Sequence, residues 1–128
     1  MYYFENCVKS FAGFSIRNLT MHTTREIFSK IERKIKERTQ EFSTIGAVYK
    51  FVLNGPDGGT WIVDLRESSY GVRQTEEEAN CTFKSSDKNF IKLVNGKLKP
   101  EMALLTGKVK IAGDIGLAMK FGNLIKSK

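Results

Sequence analysis

Cysteine and histidine are scarce in this sequence, and their scarcity excludes several kinds of site. Two cysteines, Cys7 and Cys81, and one histidine, His22, are too few for a disulfide framework or a closed structural zinc site. A cysteine nucleophile would need a neighbouring base, and the sequence around each cysteine provides none. We therefore expect no metal site, no cofactor and no catalytic residue, and we interpret Cys81 as a small buried apolar side chain.

Long apolar runs and familiar catalytic motifs are also missing. No stretch approaches the roughly 18 uninterrupted apolar residues of a membrane-spanning helix, and phosphate-loop, nucleophile-elbow and zinc-protease motifs are absent. A chain of 128 residues fits one domain. We predict a single domain that is not an enzyme; the alternative is Asp64 acting as a general base on the strand face opposite Trp61.

Positive charge is abundant and unevenly distributed. The net charge of +7 divides into +4 for residues 1–40, −3 for residues 41–90 and +6 for residues 91–128. Basic ends of this kind suit nucleic acid, an anionic membrane surface or an anionic ligand head group. The aromatic residues of the predicted strands alternate as a core face does, rather than lining an exposed basic face, so we expect no nucleic-acid partner.

The first 22 residues form no clear helical pattern. They contain Lys9 and Arg17 against one acid, Glu5, which fits either a loosely docked tail or an organelle-targeting segment. We predict that residues 1–22 are this tail or targeting segment and that residues 23–128 form the domain.

A helix is predicted to begin at Thr23, which is spaced from Glu26 as in a capping box. Apolar residues then recur at one-turn spacing, while basic residues occupy the other face. The apolar stripe either packs on the domain or docks transiently on anionic lipid. It consists of Ile27, Phe28, Ile31 and Ile35.

From Gly46 the hydrophobic period changes to two, which predicts a hairpin around the turn at residues 55–59. Further strands are expected at Tyr70–Gln74 and Asn80–Lys84, with an exposed turn of acidic residues between them. The residues predicted to face inward are Tyr49, Phe51, Leu53, Trp61, Val63, Leu65, Val72, Cys81 and Phe83.

The last third of the chain predicts helix, helix, strand and helix. Ser86 or Asp87 caps the first helix, Pro100 opens the second, and Val109 with Ile111 marks a strand. The final helix follows Gly113 and Asp114 and carries a wider apolar arc than is needed to cover one sheet face. A helix neighbour, a partner protein or a bound ligand must cover the surplus.

Residues 96–124 read GKLxPxxAxxxGKxKIxGxxGLAMKxxNL, and this pattern resembles the sterol carrier protein type 2 (non-specific lipid-transfer protein) domain family. Lys30–Glu37 is similar to the first helix of that family, Ile45–Phe51 to its first strand, and Thr60–Leu65 to its TWxVDL hairpin strand. The order and spacing of these segments extend the resemblance over about residues 24–126.

The resemblance implies an α+β fold, a five-stranded mostly antiparallel sheet covered on one face by helices and enclosing an apolar tunnel. It implies an intracellular carrier that binds sterols, fatty acids, fatty acyl-CoA or phospholipids and transfers them between membranes or to enzymes. The alternative is a protein-docking accessory module for a lipid-metabolising enzyme, since the family includes fusions to thiolases and dehydrogenases. Implied partners are the lipid, a transiently contacted anionic membrane and such enzymes, and we expect a monomer.

Lipid-binding positions follow from the resemblance. Strand alternation agrees for Trp61 and Phe83, whereas for the helix residues it predicts only an apolar, inward position, compatible with core packing or ligand contact. The ten positions are Trp61, Phe83, Phe90, Val94, Met102, Leu105, Ile115, Met119, Phe121 and Leu124.

Two positions depart from the family pattern. Gly122 stands where relatives often have glutamine, an amide that can meet a ligand's polar group. The chain ends Lys126-Ser127-Lys128 rather than in a peroxisomal tripeptide of the Ser-Lys-Leu type. A peroxisomal location is therefore expected from the resemblance only, with cytoplasm or mitochondrion as alternatives.

Overall fold

The computed structural model describes the backbone of residues 23–126 and the side chains of residues 23–121. A short 3-10 turn, Glu67–Ser69, precedes the third strand. In chain order the helices and strands are α1 (Thr24–Glu37), α2 (Thr39–Ser43), β1 (Val48–Asn54), β2 (Gly59–Asp64), β3 (Gly71–Arg73), β4 (Cys81–Ser86), α3 (Asp87–Val94), α4 (Pro100–Leu105), β5 (Val109–Gly113) and α5 (Ile115–Lys126).

The five strands form one sheet in the order β3-β2-β1-β4-β5. The β1–β4 pair is parallel, and the other three pairs are antiparallel. This confirms the predicted α+β fold with a five-stranded, mostly antiparallel sheet. The predicted strands near residues 70–74 and 80–84 are β3 and β4, with ends that differ by one or two residues.

The parallel pair forces the chain to return from β3, at one edge, to β4 on the far side of β1. The connection crosses the sheet face opposite the helices, since Glu76 pairs with Lys50 and Glu77 with Arg73 on that face. Ile62 lies between Lys50 and Arg73 in the strand register and is fully buried. The acidic run predicted as an exposed turn therefore also fastens the crossing segment to the sheet.

Helix α1 begins and packs as its sequence predicts. The Thr23 side chain accepts a hydrogen bond from the Glu26 backbone N–H (3.1 Å), which caps the first turn. The helix packs against β3 and α3. All four residues of the predicted stripe are buried: Ile27, Phe28, Ile31 and Ile35.

The β1–β2 turn ties together the starts of α1 and α3. Asp57 accepts a hydrogen bond from the Thr24 backbone N–H (2.7 Å), and its own N–H donates to buried Asp87 (2.8 Å). Ser86 caps α3 by accepting from the Asn89 N–H (3.1 Å). The turn thus holds both helices on the same face of the sheet.

Candidate apolar binding site

Four inward-facing side chains form a row across the sheet. In the strand register Trp61 on β2 is opposite Phe51, Phe51 is opposite Phe83, and Phe83 is opposite Ile111 on the edge strand β5. Directly paired residues point to the same face of a sheet. The row therefore forms a continuous apolar floor from the second strand to the edge.

Helices α1 and α3 cover the Trp61 end of this floor with aromatic rings. Phe28 stacks on Trp61, with ring centroids 4.5 Å apart and planes inclined by 9°. Its centroid is also 5.3 Å from that of Phe51 and 5.6 Å from that of Phe90. This end is a close-packed core, in which an added ligand atom must displace a ring.

The β5 end of the floor is packed less completely. Leu93, Ala103 and Val109 form a second, smaller buried cluster below α4. Half-buried Phe83 and Ile111 pack against both this cluster and the main core. They therefore mark the junction at which an apolar ligand could separate the two clusters with the least disruption.

Helix α5 closes over the floor from the other end of β5. The Asp114 carboxylate caps it by accepting from the Leu117 N–H (3.2 Å), and buried Phe121 lies 4.8 Å from the ring of Tyr49. The Tyr49 hydroxyl donates to the backbone oxygen of Leu117 (2.6 Å). Burial raises the pKa of Tyr49 far above its ordinary value, so this hydroxyl remains a donor at physiological pH.

Helices α4 and α5 expose large apolar side chains beside this junction. Met102 and Leu105 on α4 are 50% and 81% exposed, and Ile115 and Met119 on α5 are 58% and 64% exposed. Helix α4 packs at the Val109 end of β5, whereas α5 begins immediately after its other end. The two helices that carry these exposed residues therefore lie towards opposite ends of the strand that contains Ile111.

The structure separates the ten predicted lipid-binding positions into three groups. Trp61, Phe90, Val94 and Phe121 are buried in the main core, and half-buried Phe83 packs against it. Leu124 lies outside the described side chains. The expectation of an inward position is wrong for the remaining four, which are exposed: Met102, Leu105, Ile115 and Met119.

Helix geometry explains this correction. Ala103 is the buried residue of α4, and Leu105 follows it by about 200° around the axis, so it must point outward. Among the described side chains of α5, those of residues 115–121, the buried one is Phe121, and Met119 likewise lies about 200° from it. Whether these side chains contact a ligand is a separate matter, and that role stays a prediction.

Sequence reasoning did not include Ile111 or Phe28 among the site residues. The strand alternation of Val109 and Ile111 already indicated that Ile111 faces inward. No local signal distinguishes Phe28 from the other apolar residues of α1, because its stacking on Trp61 joins residues far apart in the sequence.

The indole N–H of Trp61 has no hydrogen-bond partner among the described residues, although it is buried. A Cβ atom at Gly59 would lie 3.9 Å from this nitrogen and 2.9 Å from the amide nitrogen of Gln74. A Cβ atom would therefore lie too close to the Gln74 amide, which favours glycine at position 59. A buried donor without a partner costs about 1–3 kcal/mol.

The polar groups of the structure do not favour acid–base chemistry. The carboxylate of fully buried Asp64 accepts hydrogen bonds from Arg66 (2.9 Å), Ser69 (2.7 Å) and Arg73 (2.8 Å). Burial alone would raise the pKa of Asp64, but these donors outweigh burial and hold it well below its ordinary range. Its acceptor positions are occupied, which makes Asp64 a poor general base.

Burial raises the pKa of the Cys81 thiol, which makes it a weaker nucleophile. Within residues 23–126, no cluster of histidine, cysteine and acidic residues suits a metal ion. No helix in that range is both long and apolar enough to span a membrane. The arrangement that remains is an apolar layer between the sheet and α3, α4 and α5.

Comparison with known proteins places residues 28–126 within the model of the SCP-2 sterol transfer family. Sterol carrier protein 2 from Homo sapiens is 39% identical over 103 residues, which cover 77% of this chain and 19% of the human protein. The chain therefore spans about a fifth of that relative.

Solved structures show the same fold. The sterol carrier protein domain 2 of Helicoverpa armigera, 33% identical, matches with a TM-score of 0.65 over 77% of this chain and 82% of that domain. Sterol Carrier Protein-2 from Aedes aegypti, in complex with palmitate, is 19% identical and matches with a TM-score of 0.55 over 77% of this chain and 94% of that one. At this lower identity the match shows only the fold.

Proposed function

The chain belongs to the SCP-2 sterol transfer family, and from that premise we propose that it binds one lipid in the apolar layer between the sheet and α3, α4 and α5. Lipid binding and transfer is the general role of this family. The finer proposal is that the lipid enters between α4 and α5 and lies on the Phe83–Ile111 part of the floor.

The main support is the partial burial of Phe83 and Ile111 between two buried clusters. An acyl chain placed there would replace water on both clusters and on the inner sides of the two helices. Each buried methylene contributes about 0.8 kcal/mol, so eight of them contribute about 6 kcal/mol before ordering costs are subtracted. A dissociation constant of 1 μM corresponds to about 8 kcal/mol, so micromolar affinity requires the burial of more methylenes than these eight.

The proposed ligands are fatty acids, fatty acyl-CoA, sterols and phospholipids. An apolar layer discriminates poorly between chains that differ by a methylene or two, so we expect broad chain selectivity. The Aedes aegypti relative was solved with palmitate, which makes a long-chain fatty acid a suitable first probe. Lys99, which precedes α4, and Lys108, which precedes β5, are both exposed and could hold a carboxylate or phosphate at the proposed opening.

Transfer would be a physical process in which no bond is made or broken. The lipid would leave when α5 moves away from the sheet, and a membrane or an enzyme would receive it. We propose the same carrier role inside the cell, and the peroxisomal location stays a prediction from the family resemblance.

An accessory module for a lipid-metabolising enzyme is the second candidate. It is favoured by the length of the human relative, of which this chain matches about a fifth. The exposed apolar residues of α4 and α5 would then contact an enzyme, and lipid binding would be weak or absent.

The test compares two substitutions at neighbouring residues of β5. Ile111→Gln places an amide on the floor, whereas Ala112→Gln places the same amide on the opposite, exposed face. We expect Ile111→Gln to weaken displacement of a fluorescent fatty acid at least about tenfold, because a buried unpaired amide costs about 1–3 kcal/mol. Ala112→Gln should bind as the wild type does.

Native mass spectrometry of the purified wild type should also show a copurified lipid. Thermal unfolding followed by circular dichroism would confirm that both variants fold. Equal affinity in the two variants would refute the proposed site, and a wild type that neither carries nor displaces a lipid would refute the carrier function in favour of the accessory module.

A further inference from the structure

Helix α1 carries more basic residues than any other helix of the described chain, yet its structure does not suit it for docking on a membrane. An interfacial helix inserts its apolar face into the lipid. In α1 the apolar face is packed into the core and is not available to lipid. Its four residues are all buried: Ile27, Phe28, Ile31 and Ile35. The helix could offer only its charged side to a bilayer.

A different surface combines exposed apolar side chains with positive charge. Among residues 23–121, every large apolar side chain that is exposed lies between positions 102 and 119, on α4 or α5. We call these five residues the α4–α5 patch: Met102, Leu104, Leu105, Ile115 and Met119.

Exposed lysines are close to the patch residues in the sequence and outnumber the acids. The segment from residue 97 to residue 120 carries five lysines and two acids, Glu101 and Asp114. Lys99 immediately precedes α4, and Lys120 lies next to Met119 on α5. The surface therefore complements a negatively charged apolar layer, which is the chemistry of an anionic bilayer.

The composition of the patch favours a bilayer over a protein partner. Protein interfaces are enriched in aromatic residues, arginine and methionine and depleted in lysine, and tryptophan, tyrosine and arginine contribute most of their binding energy, whereas leucine is under-represented among such residues. The α4–α5 patch contains only Met, Leu and Ile, and its flanking cations are lysines. Flexible aliphatic side chains with lysines that reach the head groups are typical of membrane-surface segments.

From these observations we infer that the α4–α5 patch docks on anionic membranes and places the opening of the lipid site against the bilayer. This inference rests on the proposed function, because the proposed entry route for the lipid lies between the same two helices. A lipid could then pass between bilayer and protein without crossing water. Helix α1 would face away from the contact or lie at its margin.

The experiment uses vesicle flotation with phosphatidylcholine alone and with added phosphatidylserine. Lys99→Glu with Lys120→Glu reverses one charge at each helix of the patch. The matched control, Arg25→Glu with Arg33→Glu, makes the same change in net charge on the exposed side of α1. Each cation near an anionic surface changes binding about fivefold, so we expect the patch variant to bind at least about tenfold more weakly and the α1 variant to change far less.

An apolar variant tests the second half of the inference. Leu105→Gln with Met119→Gln should lower binding to both vesicle types at least about tenfold, since both side chains are exposed and their replacement leaves the core intact. Equal losses in the two charge variants, or a larger loss in the α1 variant, would overturn the inference. Retained vesicle binding by the apolar variant would also overturn it. So would the finding that the loss of binding results from an effect on self-association of the protein through the patch.

Fatty-acid displacement without vesicles separates this inference from the proposed function. The α1 variant changes only Arg25 and Arg33, which lie outside the proposed lipid site, so it should displace the fluorescent fatty acid as the wild type does. A wild type that displaces the fatty acid but binds vesicles independently of the patch would overturn the inference and leave the carrier function in place. A wild type that binds vesicles through the patch but no fatty acid would refute the carrier function and leave the docking surface in place.

Discussion

Replacing Tyr49 with phenylalanine tests whether α5 holds the lipid site closed. The substitution removes the hydroxyl that donates to the Leu117 backbone oxygen at 2.6 Å and keeps the ring that packs on Phe121. A hydrogen bond of this kind contributes about 1 kcal/mol, so the free energy of unfolding should fall by about that amount. For a domain of this size the melting temperature should fall by about 4 °C.

The bond joins α5 to the sheet, so its loss should also favour opening of the site. A change of 1 kcal/mol is about a fivefold change in an equilibrium constant. We therefore expect a bound fluorescent fatty acid to dissociate about fivefold faster from Tyr49→Phe, measured by stopped flow. Backbone amides of α5 should exchange hydrogen correspondingly faster.

Tyr70→Phe is the matched control. The Tyr70 hydroxyl also donates to a helix backbone oxygen at 2.6 Å, but that oxygen belongs to Ile35 on α1. Both variants should lose similar stability, whereas only Tyr49→Phe should release lipid faster. Equal acceleration in the two variants would show that release follows overall stability, and would refute the assignment of α5 as the moving element.

Two further predictions concern buried polar groups. Trp61→Phe should change the free energy of unfolding by less than about 1 kcal/mol, because it keeps the stacked ring and removes a buried donor that has no described partner. Trp61→Ala should instead cost about 3–5 kcal/mol, measured by urea titration. A phenylalanine variant as unstable as the alanine variant would contradict this reasoning. Arg73→Met should cost about 2 kcal/mol at pH 7, since it removes a charged hydrogen bond to buried Asp64. Hydrogen bonds lower the pKa of Asp64 despite its burial, and hydrogen bonds from Arg73 and Thr75 lower the pKa of Glu77 to about 2. The contribution of these two carboxylates to folding stability is therefore complete above their unfolded pKa values and is lost as the pH falls from about 5 towards 2. Stability of Arg73→Met should therefore depend less on pH in that window, and an unchanged acid limb would refute the role of Arg73.

Local sequence signals predicted the secondary structure well where one residue decides it. The capping interaction of Thr23 was predicted and is observed, and of the two predicted caps of α3, Ser86 and Asp87, the structure shows Ser86. The short helix α2 was missed, because its five residues have no cap bond and only Phe42 is buried. A single apolar residue gives no period to detect.

The inward faces of the strands were also accessible from sequence. Alternation correctly placed Trp61, Phe51 and Phe83 on one face, because neighbouring residues of a strand always point to opposite sides. The order of the strands was not accessible in this way. Ile62 is buried on the other face because the segment between β3 and β4 crosses that face. The crossing is necessary because β4 pairs in parallel with β1, and this pairing cannot be read from the local sequence.

The sequence by itself indicated the domain's family from the order and spacing of its segments. It also determined the strand faces, the helix caps and the excess of apolar surface on the final helix, since each of these depends on residues that are near one another in the chain. Only the tertiary structure decided what that excess does. Ala103 and Phe121 happen to be the residues that the sheet buries, and their burial turns Leu105 and Met119 outward. A helical pattern shows how wide an apolar face is, but the direction in which it points depends on the neighbour against which the helix packs.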